Sequence, residues 1–176
     1  MQRLQVCAGL ALLMLGACAH AAPAKPESVF APAPCPKALE AVASCHAGRD
    51  AAGSFVFAAI PKTWNRSLIV FAHGGPRMNP PALEDTVEDL ERFAVVVREG
   101  YAWVGTTYRR EGYAVRRAAE DVEMARAAFT TAFGAPDRTL LHGQSWGAQI
   151  ALKTLELHGK AADGTLRYDG ALLTNG

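Results

Sequence analysis

The sequence predicts an α/β fold, a three-layer sandwich built on a mostly parallel sheet. Three features lead there. From Ser54 onward, short apolar runs rich in β-branched and aromatic residues alternate with longer stretches in which apolar residues recur every three or four positions. Strands separated by helices call for parallel pairing through right-handed crossovers. The run Ser67 to Ala72 (SLIVFA) is apolar without alternation, as a strand covered on both faces requires. Glycine and proline fall where the periodic stretches end, at Gly100, Gly134, Pro136 and Gly159. The 176 residues are half hydrophobic and a fifth charged, which suits one globular core and argues against disorder. With 18 Lys+Arg against 17 Asp+Glu, the chain has no basic surplus to hold nucleic acid.

Met1-Gln2-Arg3 is a short positive start before an apolar run from Leu4 to Ala19. That run falls short of the ~20 residues that span a bilayer, so an export signal is expected. Leu15-Gly16-Ala17-Cys18 resembles a bacterial lipobox. Cleavage before Cys18 makes residues 1–17 the signal peptide and leaves Cys18 to carry lipid. Each buried CH₂ contributes about 0.8 kcal/mol, so several acyl chains would anchor the protein to the cell envelope, on its periplasmic face. Cleavage after Ala19-His20-Ala21, giving a secreted protein, is the alternative; Cys7 is discarded in both cases. Residues 18–50 are expected as an Ala/Pro-rich tether ending in a Cys35–Cys45 loop, with residues 51–176 as the folded domain. A disulfide suits an oxidising compartment, whereas a metal there would have only His46 as a further ligand.

Ser54 to Ile60 reads as a strand ended by Pro61, and Ser67 to Ala72 as the next, with Trp64-Asn65 between them in a possible hairpin. Leu83, Val87, Leu90, Ala94 and Val97 set a helical stripe over Leu83 to Glu99. Acidic residues lie early in it and Arg98 late, as the helix dipole favours. Tyr101 to Thr107 is a strand, and Val115 to Phe133 a helix with Val122, Phe129 and Phe133 on one face. Arg138 to His142 is a short strand, Trp146 to His158 a helix, and Gly170 to Thr174 the last strand.

Gly143-Gln144-Ser145-Trp146-Gly147 is a G-x-S-x-G sequence between a strand and a helix. That is the setting of a nucleophile elbow, in which a sharp turn lifts the serine Oγ above the sheet. Gly143 and Gly147 remove side chains that would collide across the turn, and the helix N-terminus favours a developing oxyanion. His73-Gly74-Gly75-Pro76 follows SLIVFA, where a glycine turn brings N–H groups towards the serine. Gly74 or Gly75, with the N–H of Trp146, would then form an oxyanion hole. His73 is expected to brace that turn rather than act as a base.

These two motifs in their strand contexts resemble the α/β-hydrolase superfamily of esterases, lipases and serine peptidases, over about Ser54 to Gly176. HGGP with G-x-S-W-G is especially similar to proline iminopeptidases and prolyl-oligopeptidase-type peptidases. Arg77 stands where iminopeptidases usually have glycine, and the chain has no room for a propeller, so the subfamily stays open. The resemblance implies a small-molecule ester or peptide substrate and an acyl-enzyme on Ser145. It also implies an acid and a histidine after the serine, in that order.

His158 lies roughly 20 Å down the elbow helix at 1.5 Å per residue, and Glu156 shares that helix. Asp163 and Asp169 precede the last strand, too early to serve as the acid. The fold is therefore expected to be C-terminally incomplete and the chain inactive by itself. The alternative is a non-catalytic envelope lipoprotein that binds a small apolar ligand in the same cleft. Arg109 and Arg110, after a strand, read first as a solvated loop, with contact to an acidic substrate group as the alternative; Arg116 and Arg117 read as a solvated helix face, and Trp146 as pocket lining or helix packing. No dinucleotide fingerprint, phosphate loop or paired-histidine spacing occurs, so neither cofactor nor metal is expected.

Overall fold

A computed structural model of the protein describes residues 28–176. The expected signal peptide and the lipidation residue Cys18 lie outside the described residues. The strands are β1 (Phe30–Ala33), β2 (Ala43–Arg49), β3 (Phe55–Pro61), β4 (Ser67–Ala72), β5 (Ala102–Thr106), β6 (Arg138–Gln144) and β7 (Gly170–Thr174). The helices are α1 (Leu83–Arg92), α2 (Ala94–Arg98), α3 (Val115–Phe133) and α4 (Trp146–His158). The strands form one seven-stranded sheet in the order β1-β2-β3-β5-β4-β6-β7. β1, β2, β3 and β5 pair antiparallel, whereas β5, β4, β6 and β7 pair parallel.

Alternation along β4 sorts its side chains between two cores. Leu68, Val70 and Ala72 pack with Ala118, Val122, Phe129, Ile150 and Ala151 under α3 and α4. Ile69 and Phe71 pack with Leu90, Ala94, Val97 and Trp103 under α1 and α2. Both faces of β4 are thus covered, which is why its sequence carries no polar alternation.

The sheet reaches further towards the N-terminus than the expected boundary at residue 51. β1 and β2 lie inside the stretch read as tether and loop, and β2 pairs with β3 along its whole length. Cys35 and Cys45 are joined in a disulfide, with Cα atoms 5.1 Å apart and a sequence separation of 10. The expected hairpin of β3 with β4 does not form, because β5 lies between them and pairs with both. The stripe over residues 83–99 is broken at Phe93, whose φ of −111° and ψ of 20° end α1. The Val95-Val96-Val97 run that follows is β-branched, which weakens helix continuation.

Closing a loop of about ten residues confines the unfolded chain enough to stabilise the fold by roughly 3 kcal/mol. Replacing Cys35 and Cys45 together by alanine is expected to lower the urea-unfolding free energy by roughly 2–4 kcal/mol. An unchanged midpoint would show that the β1–β2 pairing holds without its crosslink.

Candidate active site

β6 runs straight into Ser145, whose backbone takes φ 56° and ψ −127° before α4 begins at Trp146. A non-glycine residue there costs on the order of 1–3 kcal/mol and persists only where its surroundings over-determine it. The surroundings here are glycines. A Cβ at Gly143 would collide with the Gly147 carbonyl, and one at Gly147 would meet the His73 carbonyl oxygen at 2.8 Å. The first turn of α4 therefore packs directly against the end of β4. Trp146, Gly147 and Ala148 are buried while Ser145 is exposed at the tip of the turn. Its own N–H donates to the Thr174 carbonyl at 2.8 Å, tying the turn to the end of β7.

The glycine turn after β4 lies beside this tip. A Cβ at Gly74 would sit 3.9 Å from the Ser145 Cβ and 2.5 Å from the Gln144 carbonyl oxygen. Gly75 takes φ 76° and has open space on the side where a Cβ would project. Among the described residues, neither a carbonyl nor a side chain accepts from the N–H groups of Gly74, Gly75 or Trp146. The structure thus brings together Gly74, Gly75, Gly143, Ser145, Trp146 and Gly147 at the carboxyl end of the sheet. Unpaired N–H groups beside an exposed hydroxyl make a place where negative charge can develop.

His73 is buried, and its Nδ1–H donates to Asp89 Oδ2 on α1 at 2.6 Å. The His73 carbonyl accepts from the Tyr108 hydroxyl at 2.9 Å. Burial, reinforced by the charges of Asp89 and Asp121, pushes the Tyr108 phenol well above its ordinary range and keeps it a donor. Neither Asp89 nor Tyr108 stands out by motif. The available signal for Asp89 was an acid set beside Leu90 on the core-facing side of a helical stripe, where a carboxylate needs a partner.

The Trp146 indole lies edge-on to Tyr108 at 5.8 Å and to Tyr113 at 5.9 Å, and Tyr113 is 76% exposed. It therefore packs the helix and also backs an exposed aromatic ring near the serine. Arg109 is committed to the fully buried Asp121, with its Nε 2.6 Å from Oδ1 and its backbone N–H 2.8 Å from Oδ2. It is a loop anchor rather than a free cation, while Arg110, Arg116 and Arg117 are exposed. The other acids also have local partners. Glu156 pairs with Lys153, Asp163 accepts from the Thr165 N–H, and Asp169 accepts from the Thr139 N–H. His158 is the last residue of α4, at the opposite end from Ser145.

An apolar cavity of about 610 Å³ runs along β6 and β7 beside α2, lined by Ile69, Phe93, Val96, Leu140, His142 and Leu172 among others. His142 lies edge-on to Phe71 at 5.2 Å and to Phe93 at 4.7 Å. Burial lowers its pKa.

No protein-family model matches the chain, and no curated protein matches it in sequence. Solved structures do. A cold-adapted esterase from an Arctic intertidal metagenomic library, in its zinc-bound form, superposes with a TM-score of 0.53 at 15% identity, over 81% of this chain and 63% of that one. The native form of that esterase gives a TM-score of 0.49 at 14% identity, over 75% and 58%. Acetyl xylan esterase 1 from a Thermoanaerobacterium species gives 0.44 at 17% identity, over 74% and 48%. The chain spans less than two thirds of the length of these structures. The fold is of the α/β-hydrolase type.

Because burial lowers the His142 pKa below its ordinary 6.5, the unfolded chain binds the proton more readily than the folded one. This contribution to stability is complete above pH 6.5 and is lost as pH falls through the folded value. His46 shifts the same way for the same reason. The unfolding free energy is expected to drop below pH 6.5, and His142→Leu should make that drop shallower. Equal slopes in the two proteins would show that the ring is not desolvated.

Proposed function

We propose that the protein is a serine hydrolase that cleaves an ester or amide bond through an acyl-enzyme on Ser145. The carrying observation is the exposed Ser145 at φ 56°, beside Gly74, Gly75 and Trp146 N–H groups that have no acceptor among the described residues. Ser145 Oγ would attack the carbonyl carbon of the substrate. The oxygen of the resulting tetrahedral adduct would take hydrogen bonds from the N–H groups of Trp146 and of Gly75 or Gly74, which have no other acceptor among the described residues. Removing one such donor costs on the order of 10²–10³ in turnover in a serine protease, which sets the scale of the effect. As the adduct collapses, the C–O or C–N bond breaks and the leaving group takes up the proton given up by Ser145 Oγ; water then adds to the acyl carbon, releasing the carboxylic acid and restoring the serine hydroxyl.

No residue at the elbow is assigned as general base, so the activity is proposed for the whole protein. The expected export signal and lipid at Cys18 would place this chemistry at the cell envelope, where the Cys35–Cys45 disulfide is stable. A second reading, binding of a small apolar ligand without catalysis, is favoured by the apolar cavity that abuts Gln144 and Thr174.

A fluorophosphonate probe is expected to label the full-length protein on Ser145, as read by peptide mass spectrometry, with Ser145→Ala unlabelled. A folded protein that stays unlabelled would favour the binding reading. Gly74→Ala is expected to reduce labelling at least tenfold, because its Cβ meets the Gln144 carbonyl oxygen at 2.5 Å and pushes the turn away from the serine.

A further inference from the structure

We infer that Asp89 is a positioning residue, acting through the buried imidazole of His73 to hold Gly74 and Gly75 against Ser145. The inference rests on the serine hydrolase reading and adds a residue to it from outside both motifs. The turn from His73 to Arg77 makes no backbone hydrogen bonds inside itself. Its place is therefore set by its ends.

Both ends are fastened to the same helix. At the first, His73 Nδ1–H donates to Asp89 Oδ2 at 2.6 Å, with His73 7% and Asp89 4% exposed. At the second, Arg77 meets Asp85 Oδ1 at 2.8 Å and Glu88 Oε2 at 3.5 Å. Asp85 and Asp89 are four residues apart, so they lie on one face of α1. The stretch between the two anchors is Gly74-Gly75-Pro76, and it lies against the elbow, where a Cβ at Gly74 would sit 2.5 Å from the Gln144 carbonyl oxygen.

The two anchors differ in what they can fix. At Arg77 the contact to the exposed Glu88 is weak, and the part-buried contact to Asp85 is made through a long side chain two residues beyond Gly75. The His73–Asp89 pair is sealed and directional. A carboxylate acceptor requires the proton on Nδ1, so it sets both the tautomer and the ring orientation. The Tyr108 hydroxyl holds the His73 carbonyl at 2.9 Å from the other side. His73 is thus clamped at its ring and at its carbonyl, and the next N–H in the chain is that of Gly74. Buried polar pairs often contribute little to stability compared with apolar residues of the same shape. What this pair supplies is a fixed geometry for the turn that follows.

The test compares Asp89→Asn and Asp89→Ala in the full-length protein, with p-nitrophenyl acetate as substrate. Displacing reacting groups by about 1 Å costs on the order of 10²-fold. Asp89→Ala is expected to lower kcat by about that factor with KM within about twofold. Asp89→Asn keeps an oxygen that accepts from Nδ1–H and is expected to recover most of the loss. In ¹⁵N-labelled protein, the Gly74 and Gly75 amide signals should move and exchange faster in Asp89→Ala, and stay near wild type in Asp89→Asn. An Asp89→Ala protein with unchanged amide signals overturns the inference, as does an Asn variant as impaired as Ala. If Asp89→Ala does not fold, Asp89→Ser replaces it. If Ser145→Ala hydrolyses the ester as well as wild type does, the hydrolase reading fails. The amide signals then still decide whether Asp89 holds the turn.

Discussion

The close approach of α4 to the end of β4 is the constraint on which the rest of the site depends. Gly147 lies against the carbonyls of Ala72 and His73, so the helix can begin only at the height where β4 ends. Gly143 lies against Gly147 across the turn, so strand and helix leave no room for a gentler connection. Ser145 is forced to φ 56° and its side chain is carried outward. The same contact brings His73, and hence the glycine turn, to the serine. The Ser145 hydroxyl and the unpaired N–H groups share one packing event, and a side chain added at either glycine would separate them.

Loops on both sides of the sheet are then fixed by buried acids. On the α1 side, Asp89 holds His73. On the α3 side, the fully buried Asp121 takes the Arg109 side chain and backbone N–H together, which pins the connection carrying Tyr108 and Tyr113. Tyr108 joins the two systems, since its hydroxyl reaches the His73 carbonyl and its ring meets Trp146. Gly112 N–H donates to the Arg77 carbonyl at 2.9 Å, closing the ring of contacts above the serine. Ionic groups kept out of water need partners of good geometry, and each partner here is a loop that borders the serine.

The parts of this arrangement that were legible in the sequence are those governed by local rules. β4 and β7 were bounded correctly from apolar runs, and α3 from its stripe and Gly134. The tight turn at Ser145 was legible because a strand packed this closely on the helix that follows requires glycine at set spacings. β1 and β2 were not, because FAPA and ASCHAGR lack a continuous apolar run and lie in the antiparallel part of the sheet, where buried, half-buried and exposed side chains mix. The insertion of β5 between β3 and β4 depends on pairings far apart in sequence. Asp89 is sixteen residues from His73, and its meaning appears only when α1 folds back over β4.

One link in the site is less well supported than the others. The Ser145 N–H donates to Thr174 at the end of β7, so the backbone at Ser145 depends on the last of the described strands. β7 pairs with β6 alone among the described strands, and its Ala171 and Leu172 are exposed. The cavity beside α2 leaves that face of β6 and β7 open up to Gln144. Motion of β7 would therefore reach Ser145 through one hydrogen bond, while the glycine turn stays fastened to α1. Contact on the open face of β7 would accordingly change where the hydroxyl stands more than where the N–H donors stand.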